Sequence, residues 1–480
     1  MASDLEPRPR RSMSGPGSGL GRLGLALALV SAAQFVLQLD FSIVNVALPT
    51  IQRDLHMAPA DLQWLVTGYA LTFGSLLLFG GRLGDLTGHR RLMTVITGLV
   101  LFGLTSLSAG LAPTSLALIA SRFAQGASAA LVAPMTLALV TDLYTEGPGR
   151  TRALGIFQGA TAAGASAGIV LGGILTQFIG WRAIFLVNPP IIIVLVLLMV
   201  RLLPRDATHA RTKMDVAGAV LATTSIASLI FGLSQGQQHG FDSPTALTAL
   251  LGAAVLGVTF VVVERRSPAP MLPFGLLADP ARRGALVVMF LMGAVVAGYV
   301  YFTSLYLQRV LHFSALMTGF ALIPATATVM ITSMLITPRL LGRFGVKPLL
   351  LLGLLSTGLG QLWLSRIDAG GTYQLDVLGG LLLTAFGMGI AFPTASVAVT
   401  AGTRPAERGL AGGLFATSLQ VGQAVGLAAL ATIAAARTQA AHGFLVSGYR
   451  LSYAVAVGIV VVALGVVLLV LRARGRPARA

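Results

Sequence analysis

Long apolar runs alternate with short polar segments along the whole chain, and this alternation repeats fourteen times. A bilayer core about 30 Å thick needs roughly 20 apolar helical residues to cross it. Runs of that length predict membrane-spanning helices. The predicted spans are 23–48, 62–80, 92–112, 115–141, 153–178, 183–203, 214–234, 245–263, 284–307, 316–337, 346–365, 374–399, 409–435 and 452–471.

The composition agrees with a polytopic membrane protein. The 480 residues are 55% hydrophobic and only 10% charged, with a mean hydropathy of +0.84, whereas a soluble domain carries about 25% charged residues. The chain has no cysteine, which excludes disulfides, thiol catalysis and cysteine-ligated metals. We expect no metal site and no cofactor.

The basic residues determine the predicted orientation. Of the 33 lysines and arginines, 26 fall in the tails and loops on the side of the two termini, six on the other side and one inside a span. Basic residues collect in cytoplasmic loops, so both termini are predicted to be cytoplasmic. The net charge of +17 therefore reflects topology, and nucleic acid is not an expected partner. Arginine outnumbers lysine heavily in an Ala- and Gly-rich chain, which hints at a GC-rich bacterial genome and so at a bacterial cell membrane.

Two ionisable residues lie clearly inside predicted spans, Asp40 in the first and Arg122 in the fourth. A charge at mid-membrane costs several kcal/mol unless it is paired or hydrated. Asp40 is predicted to carry a proton, because a partly desolvated carboxylate can load and release one; the alternative is a structural hydrogen-bond anchor. Arg122 either tunes that site by its charge or satisfies backbone carbonyls at a helix crossing. Both residues are predicted in the outer half of the membrane.

The polar hinge GRLGDLTGHRR (81–91) between spans 2 and 3 recurs, in degraded form, as PRLLGRFGVKPLL (338–350) between spans 10 and 11. Internal repeats of this kind are typical of transporters whose halves rock around a central path. The repeat divides the chain into a tail (1–22), a six-helix bundle (23–203), two inserted helices with linkers (204–283), a second bundle (284–471) and a tail (472–480).

Five motifs, in order, resemble the fourteen-helix drug:proton antiporter branch of the major facilitator superfamily. These are LDFSIVNVALP (39–49), GRLGDLTGHRRLM (81–93), RFAQGASAALVAP (122–134), WRAIFLVNPP (181–190) and GLAGGLFATSLQVGQAVG (409–426). The resemblance implies an all-α fold of two pseudo-symmetric six-helix bundles plus two inserted helices. It also implies proton-driven exchange of small molecules by a protein with no bound cofactor. The hinge motif is carried by Gly81, Asp85, Gly88, Arg90 and Arg91.

By this resemblance the hinge forms a clasp between the two halves. Asp85 would cap the N-terminus of span 13, where the helix dipole favours an anion. Arg90 would pair with Asp85 and with Asp142, closing the cytoplasmic side. The alternative is a solvated basic loop, which the arginines alone would also fit.

Span 5 carries a glycine series similar to the antiporter signature of the family. It comprises Gly164, Gly168, Gly172 and Gly173, with Ile169 where the family pattern has proline. Glycines four residues apart share one helix face and allow close helix packing. The series is therefore also explained by helix packing alone.

The expected function is proton-coupled export of hydrophobic or cationic drugs or antibiotics, by a monomer and by alternating access. A proton-coupled importer or facilitator of a small metabolite is the alternative on the same fold. An enzyme is disfavoured because no span clusters His, Glu and Asp ligands or a nucleophile–base pair. A membrane sensor is disfavoured because there is no sizeable soluble domain. Candidate substrate-binding residues, chosen by polarity and position, are Gln34, Gln38, Asn45, Gln158, Tyr306 and Gln420.

Overall fold

The structure is a computed structural model that describes residues 18–57, 59–86, 91–203, 215–267, 272, 274–404, 407–441 and 444–470. Among these residues, the regular secondary structure consists of helices joined by turns and short loops. The helices are α1 (Ser18–Asp54), α2 (Pro59–Leu86), α3 (Arg91–Gly110), α4 (Ser115–Leu143), α5 (Pro148–Phe178), α6 (Ala183–Leu186), α7 (Asn188–Leu202), α8 (Val216–His239), α9 (Pro244–Arg266), α10 (Pro280–Arg309), α11 (Ala315–Ile331), α12 (Thr337–Phe344), α13 (Val346–Leu364), α14 (Leu378–Thr400), α15 (Arg408–Ala440) and α16 (Leu445–Val470).

All fourteen predicted spans are present as apolar helical stretches in the described part of the chain. Span 6 consists of α6 and α7, which are separate because Pro189 and Pro190 lack the N–H groups that would continue α6. Span 10 consists of α11, a π-helical turn (Thr332–Ile336) and α12. Pro338 lies at the start of α12 and removes one helical hydrogen bond, which explains the widened turn before it.

The two hinge segments are more helical than the sequence predicted. Residues 81–86 continue α2, and residues 338–344 belong to α12, which ends at Gly345 with φ of +80°. The prediction of a loop at 338–344 is therefore wrong. The physical reason is that these residues form a short amphipathic helix, and its buried residue Leu341 packs against the second bundle.

The helices form two bundles, as the fold prediction required. In the first, α1 packs along α5, and α4 packs against both α2 and α3. In the second, α10 packs against α15 and α16, and α13 against α14. The bundles meet along two seams, α2 and α4 against α15 on one side and α5 against α11, α12 and α14 on the other.

The inserted helices α8 and α9 pair with each other and attach at the first seam. α8 contacts α2 and α15, and its Phe231 stacks on Trp64 of α2 at a centroid distance of 6.0 Å. Trp64 also stacks on Phe123 of α4 at 6.0 Å. α9 leaves large apolar side chains such as Val255 and Val258 exposed, as expected for a helix that faces lipid.

Two ends of the molecule are distinguished below. The basic face is the end where α1 begins and where α2, α4, α9, α12, α14 and α16 end. The opposite face is the end where α1, α3, α5, α10, α13 and α15 end.

Candidate functional site

Asp40 and Arg122 form an ion pair in the interior of the first bundle. Arg122 Nη1 donates to Asp40 Oδ2 over 2.8 Å. The side chains are 0% and 1% exposed, so the pair is shielded from both water and lipid. A buried pair is favourable only when its remaining donors and acceptors are also bonded, and the surrounding residues provide those bonds.

Three donors converge on the Asp40 carboxylate. Besides Arg122, Gln125 donates its Nε2 to Oδ1 over 2.8 Å, and Asn188 donates its Nδ2 to the same oxygen over 2.7 Å. Asn188 Nδ2 also donates to Ser106 Oγ over 3.0 Å, and Ser106 donates to the Phe185 carbonyl. Asp40 therefore connects α1 to α4 and to the junction of α6 and α7.

Arg122 is held from other directions as well. Its Nε donates to the Leu65 carbonyl of α2 over 2.9 Å, and Nη1 also donates to Gln125 Oε1 over 2.8 Å. The guanidinium lies over the Tyr69 ring, 4.3 Å from its centroid, a cation–π contact. The Arg122 guanidinium thus contacts both the Asp40 carboxylate and a backbone carbonyl of α2. The contacts required by both alternatives for Arg122 are therefore present together.

The ion pair does not face the polar stripe of α1. Gln34, Gln38 and Asn45 recur at helical spacing on one side of the helix, while Asp40 lies more than 100° away around the axis. Asp40 is completely buried and Asn45 is exposed. The ring pair Phe41–Tyr69, with centroids 5.6 Å apart, lies beside the ion pair. The candidate proton site and the candidate substrate stripe are therefore separate surfaces of α1.

The six substrate-binding candidates are not all brought together. Gln34 is buried and accepts a hydrogen bond from Thr136 of α4 over 3.2 Å. Gln158 on α5 is buried with no partner for its Nε2, and Gln420 of α15 lies near Gly74 of α2. Tyr306 is elsewhere: it is 1% exposed inside the second bundle.

Tyr306 donates its hydroxyl to the Asp368 carbonyl over 2.6 Å, in the connection after α13 at the opposite face. Its choice as a mid-membrane substrate residue is therefore not supported in this conformation. The physical reason is that a tyrosine near the end of a span can satisfy its hydroxyl from a neighbouring loop.

The glycines of α5 lie against α1 rather than against an open path. A Cβ atom added to Gly164 would come within 2.4 Å of the Phe35 carbonyl oxygen, and one added to Gly168 would come within 2.4 Å of the Leu39 carbonyl oxygen. Gly172 similarly meets Ile43. Only Gly173 faces a side-chain methyl group, that of Leu316 on α11, at 3.1 Å. Close packing is thus a sufficient structural explanation for the first three glycines.

The basic face is closed by contact of the two bundles. α2 and α15 touch at glycines, since a Cβ on Gly81 would lie 2.7 Å from the Gly409 carbonyl oxygen. Next to this contact, Asp142 at the end of α4 forms an ion pair with Arg408 at the start of α15. Burial agrees with closure, because every residue from 132 to 141 in α4 and from 409 to 415 in α15 is buried.

The predicted clasp is described only in part. Gly88 and Arg90 lie outside the described residues, and Asp85 and Arg91 are described only as members of α2 and α3. α2 contacts the start of α15, the helix predicted to receive Asp85, and the capping by Asp85 stays a prediction. Asp142 does form an ionic contact between the bundles, and its described partner is Arg408.

A second contact between the bundles joins α5 to the end of α14. Glu146 accepts a hydrogen bond from the Gly402 amide over 2.9 Å. Arg150 donates to the Thr400 carbonyl over 3.1 Å and pairs with Glu146 at 3.4 Å. Arg282 of α10 binds the same helix end, through the Val399 and Ala401 carbonyls. Two arginines at a helix C-terminus are favoured by the dipole of that helix.

Along α5 and α11 the bundles also touch through the full thickness of the membrane. Gly155 meets the Ser333 backbone near the basic face, Ser166 hydrogen-bonds Thr326 near the middle, and Ile169 meets Gly319 toward the opposite face. This seam is therefore closed at both ends. Ile169, which replaces the family proline, contacts the second bundle, and α5 continues through this position without a proline.

Sequence reasoning missed the roles of Asn188, Arg150 and Arg408. Asn188 was quoted only as part of a motif, although an amide among apolar residues before two prolines is a detectable signal of a buried polar contact. Arg150 and Arg408 were counted only as basic loop residues. Their contacts lie across the bundle interface, which a one-dimensional pattern does not specify.

Comparison with known proteins identifies the family. The model described as Major Facilitator Superfamily matches residues 30–427 and 339–480. The chain is 37% identical to the cephamycin export protein CmcT of Amycolatopsis lactamdurans, covering 95% of this chain and 94% of that protein. It is 36% identical to the puromycin resistance protein pur8 of Streptomyces alboniger, covering 90% and 88%.

Solved structures show the same fold. The human organic anion transporter MFSD10 aligns with a TM-score of 0.64 at 17% identity, over 95% of this chain and 100% of that chain. The proton:xylose symporter XylE aligns with a TM-score of 0.63 at 14% identity, over 93% and 96%. At these identities the likeness shows the fold alone. The chain therefore belongs to the major facilitator superfamily and is a multi-pass membrane transporter, with the resemblance to the drug-efflux branch confirmed by its antibiotic-export and antibiotic-resistance relatives.

Proposed function

We propose that this transporter is a proton-coupled exporter of hydrophobic or cationic drugs or antibiotics. It works by alternating access in a bacterial cell membrane, with the basic face in the cytoplasm. Support for export comes from the relatives, which are named for cephamycin export and for puromycin resistance. Support for the orientation comes from the sequence, in which 26 basic residues fall in the tails and loops on the side of the termini and six on the other side.

The observation that carries proton coupling is the buried Asp40–Arg122 ion pair. A carboxylate in a membrane interior is costly, and its charge changes by one unit when it binds a proton. Here that charge attracts a guanidinium that is bonded at the same time to the backbone of α2. Protonation of Asp40 would cancel this attraction and loosen the junction of α1, α2 and α4.

This junction is well placed to act on the basic face. Both α2 and α4 run from the ion pair to that face, where Gly81 contacts α15 and Asp142 binds Arg408. In the proposed cycle, ionised Asp40 and the closed basic face belong to the same state. Proton uptake by Asp40 favours opening of the basic face to a new substrate, and proton release into the cytoplasm favours closure and export.

The substrate path in this proposal borders the polar stripe of α1. Gln38 and Asn45 are at least partly exposed there, and Gln158 offers a buried amide nitrogen without a partner. An amide side chain can donate a hydrogen bond to a drug or accept one from it, and it places no charge in the membrane. Together with apolar walls they suit large, weakly polar molecules.

Transport by purified protein in liposomes tests the proposal. With a pH gradient that drives protons out of the compartment receiving the substrate, we expect accumulation of puromycin or of a fluorescent lipophilic cation. A protonophore should abolish this accumulation while leaving the membrane intact. Equal flux with and without the gradient would contradict proton coupling, and accumulation in the direction of proton flow would indicate an importer.

A further inference from the structure

An open cavity of about 570 Å³ lies at the opposite face of the second bundle, away from both seams. It is formed where α13 and α15 end and α16 begins. The polar and charged residues in its wall are Ser365, Asp368, Arg437, Ser447 and Arg450, and Leu451 contributes an apolar wall. The transport mechanism proposed above uses none of these residues.

The two arginines are an unusual feature of this face. Six basic residues lie at the opposite face, and four of them, including Arg437 and Arg450, belong to the second bundle. Arg437 and Arg450 are both exposed. Among the described residues neither of them is in an ion pair, whereas Arg182 at the same face is paired with Asp54 at 2.7 Å.

The cavity offers guanidinium groups as its principal donors. Ser365 Oγ already donates to the Leu362 carbonyl and Ser447 Oγ to the Phe444 carbonyl, each over 2.7 Å. Two guanidinium groups match the geometry of a phosphate, because each can donate two parallel hydrogen bonds to its oxygens. Asp368 in the same wall disfavours a ligand with two negative charges.

The position of the cavity selects a lipid as the source of the phosphate. Arg437 is in the last turn of α15 and Arg450 is about 7 Å along α16 from its start. This is the depth at which the headgroups of a bilayer lie. Leu451 and Ala454 extend the wall toward the apolar part of α16 and are both exposed, where an acyl chain would pack.

We propose that this cavity binds the singly charged phosphodiester of a membrane phospholipid, held by Arg437 and Arg450. The acyl chains of the lipid lie along α16. Asp368 makes the site prefer a phosphodiester over a phosphate monoester, which carries more negative charge. The lipid thereby connects the ends of α13, α15 and α16 at this face.

Native mass spectrometry of the full-length purified protein, titrated with defined lipids, tests this proposal. We expect wild-type protein to bind phosphatidylglycerol more tightly than phosphatidic acid, and to bind diacylglycerol weakly. The double variant Arg437→Gln/Arg450→Gln should lose phosphatidylglycerol affinity by about tenfold or more, because it removes the charged donors. Asp368→Asn should retain phosphatidylglycerol and gain affinity for phosphatidic acid.

The matched control is Arg53→Gln/Arg366→Gln, which removes the same charge from the same face outside this cavity. It should bind phosphatidylglycerol as the wild type does. An equal loss in the control would show non-specific attraction and would overturn the proposal. Displacement of the lipid by millimolar inorganic phosphate would assign the site to a free anion and would overturn the lipid source.

Discussion

At the scale of single residues, the chemistry centres on one carboxylate that faces three donors. Arg122, Gln125 and Asn188 all donate to Asp40, so the ionised form is fully bonded in this conformation. A neutral side chain at position 40 would leave buried donors unpaired, each at a cost of about 1–3 kcal/mol. The protonation state of Asp40 is therefore coupled to the packing of the helices around it.

Replacing Asp40 by asparagine tests this coupling directly. Asp40→Asn keeps the shape but fixes a neutral group, so the protein should reach the membrane and lose pH-gradient-driven transport. Liposome flux with and without a pH gradient measures the effect, and residual flux should not depend on the gradient. Normal gradient-driven transport by Asp40→Asn would refute the carrier role.

Asn188 offers a second test, of the positioning of the carboxylate. Asn188→Ala removes one donor from Asp40 and the bond to Ser106, and we expect a stability loss of about 1–3 kcal/mol. Because Asn188 donates to the ionised carboxylate, its loss favours the protonated form and slows proton release, so transport should fall more at acidic external pH, where proton loading is not limiting, than at alkaline external pH. The control Gln238→Ala removes an exposed amide from α8. A uniform loss of transport at every pH would leave Asn188 with a purely structural role.

How much of this site the sequence could predict depends on the kind of contact. Asp40 and Arg122 were found because charges within apolar runs are visible in one dimension. Their direct pairing was not predicted, since it depends on the rotation of α1 and α4 about their axes. Asn188 was missed because a neutral amide is a weaker signal than a charge in an apolar run. The contact of Tyr306 with the Asp368 carbonyl was not foreseen because it depends on the position of the loop after α13.

At the scale of elements, α12 shows why the number of spans was predictable and their ends were not. Apolar length fixes a membrane span, but the end of a helix depends on what its last turns pack against. Residues 338–344 read as a polar loop yet form α12, because Leu341 is buried against the second bundle. Close packing was one of the two explanations that the sequence offered for the α5 glycines, and the helix they pack against, α1, is visible only in three dimensions.

The packing of α5 against α1 predicts that alanine substitution at two glycines of α5 changes stability by different amounts. In Gly168→Ala the new methyl group meets Ser42 Oγ at 2.0 Å and the Leu39 carbonyl at 2.4 Å. We expect a destabilisation of about 1–3 kcal/mol, as for other overpacked interiors. In Gly173→Ala the methyl group meets the end of the Leu316 side chain at 3.1 Å and Val46 at an ordinary contact distance of 3.9 Å, so stability should change little.

Thermal unfolding followed by size-exclusion chromatography in detergent measures both variants under the same conditions. The Gly168→Ala protein should lose its monodisperse peak at a lower temperature than the Gly173→Ala protein. Equal midpoints for the two variants would mean that α1 and α5 do not pack as closely as described.

At the scale of the whole molecule, polar contacts between the two bundles accompany helix packing at the basic face. At the basic face they are joined by the Asp142–Arg408 ion pair and by the Glu146 and Arg150 contacts to the end of α14. These ionic and hydrogen-bonded contacts lie beside the close packing of α15 on α2 and α4, and water can hydrate their polar groups once the face opens. Such contacts are suited to an interface that opens in each transport cycle.

Breaking the Asp142–Arg408 pair should therefore shift the molecule toward opening at the basic face. The chain has no native cysteine, so Thr417→Cys places a single thiol on the buried part of α15. In that background, Asp142→Asn should raise the rate of thiol labelling by about two- to fivefold, since partly exposed ion pairs contribute up to about 1 kcal/mol. Arg408→Gln should have the same effect.

The double variant and a control make this test specific to the pair. Asp142→Asn/Arg408→Gln should label no faster than either single variant, because both remove the same interaction. The exchange Asp142→Arg/Arg408→Asp should restore slow labelling if attraction alone holds the contact. Asp54→Asn breaks an ion pair of the first bundle at the opposite face and should leave labelling unchanged. Labelling that is equally slow in all variants would mean that glycine packing between α2 and α15, rather than charge, keeps the basic face closed.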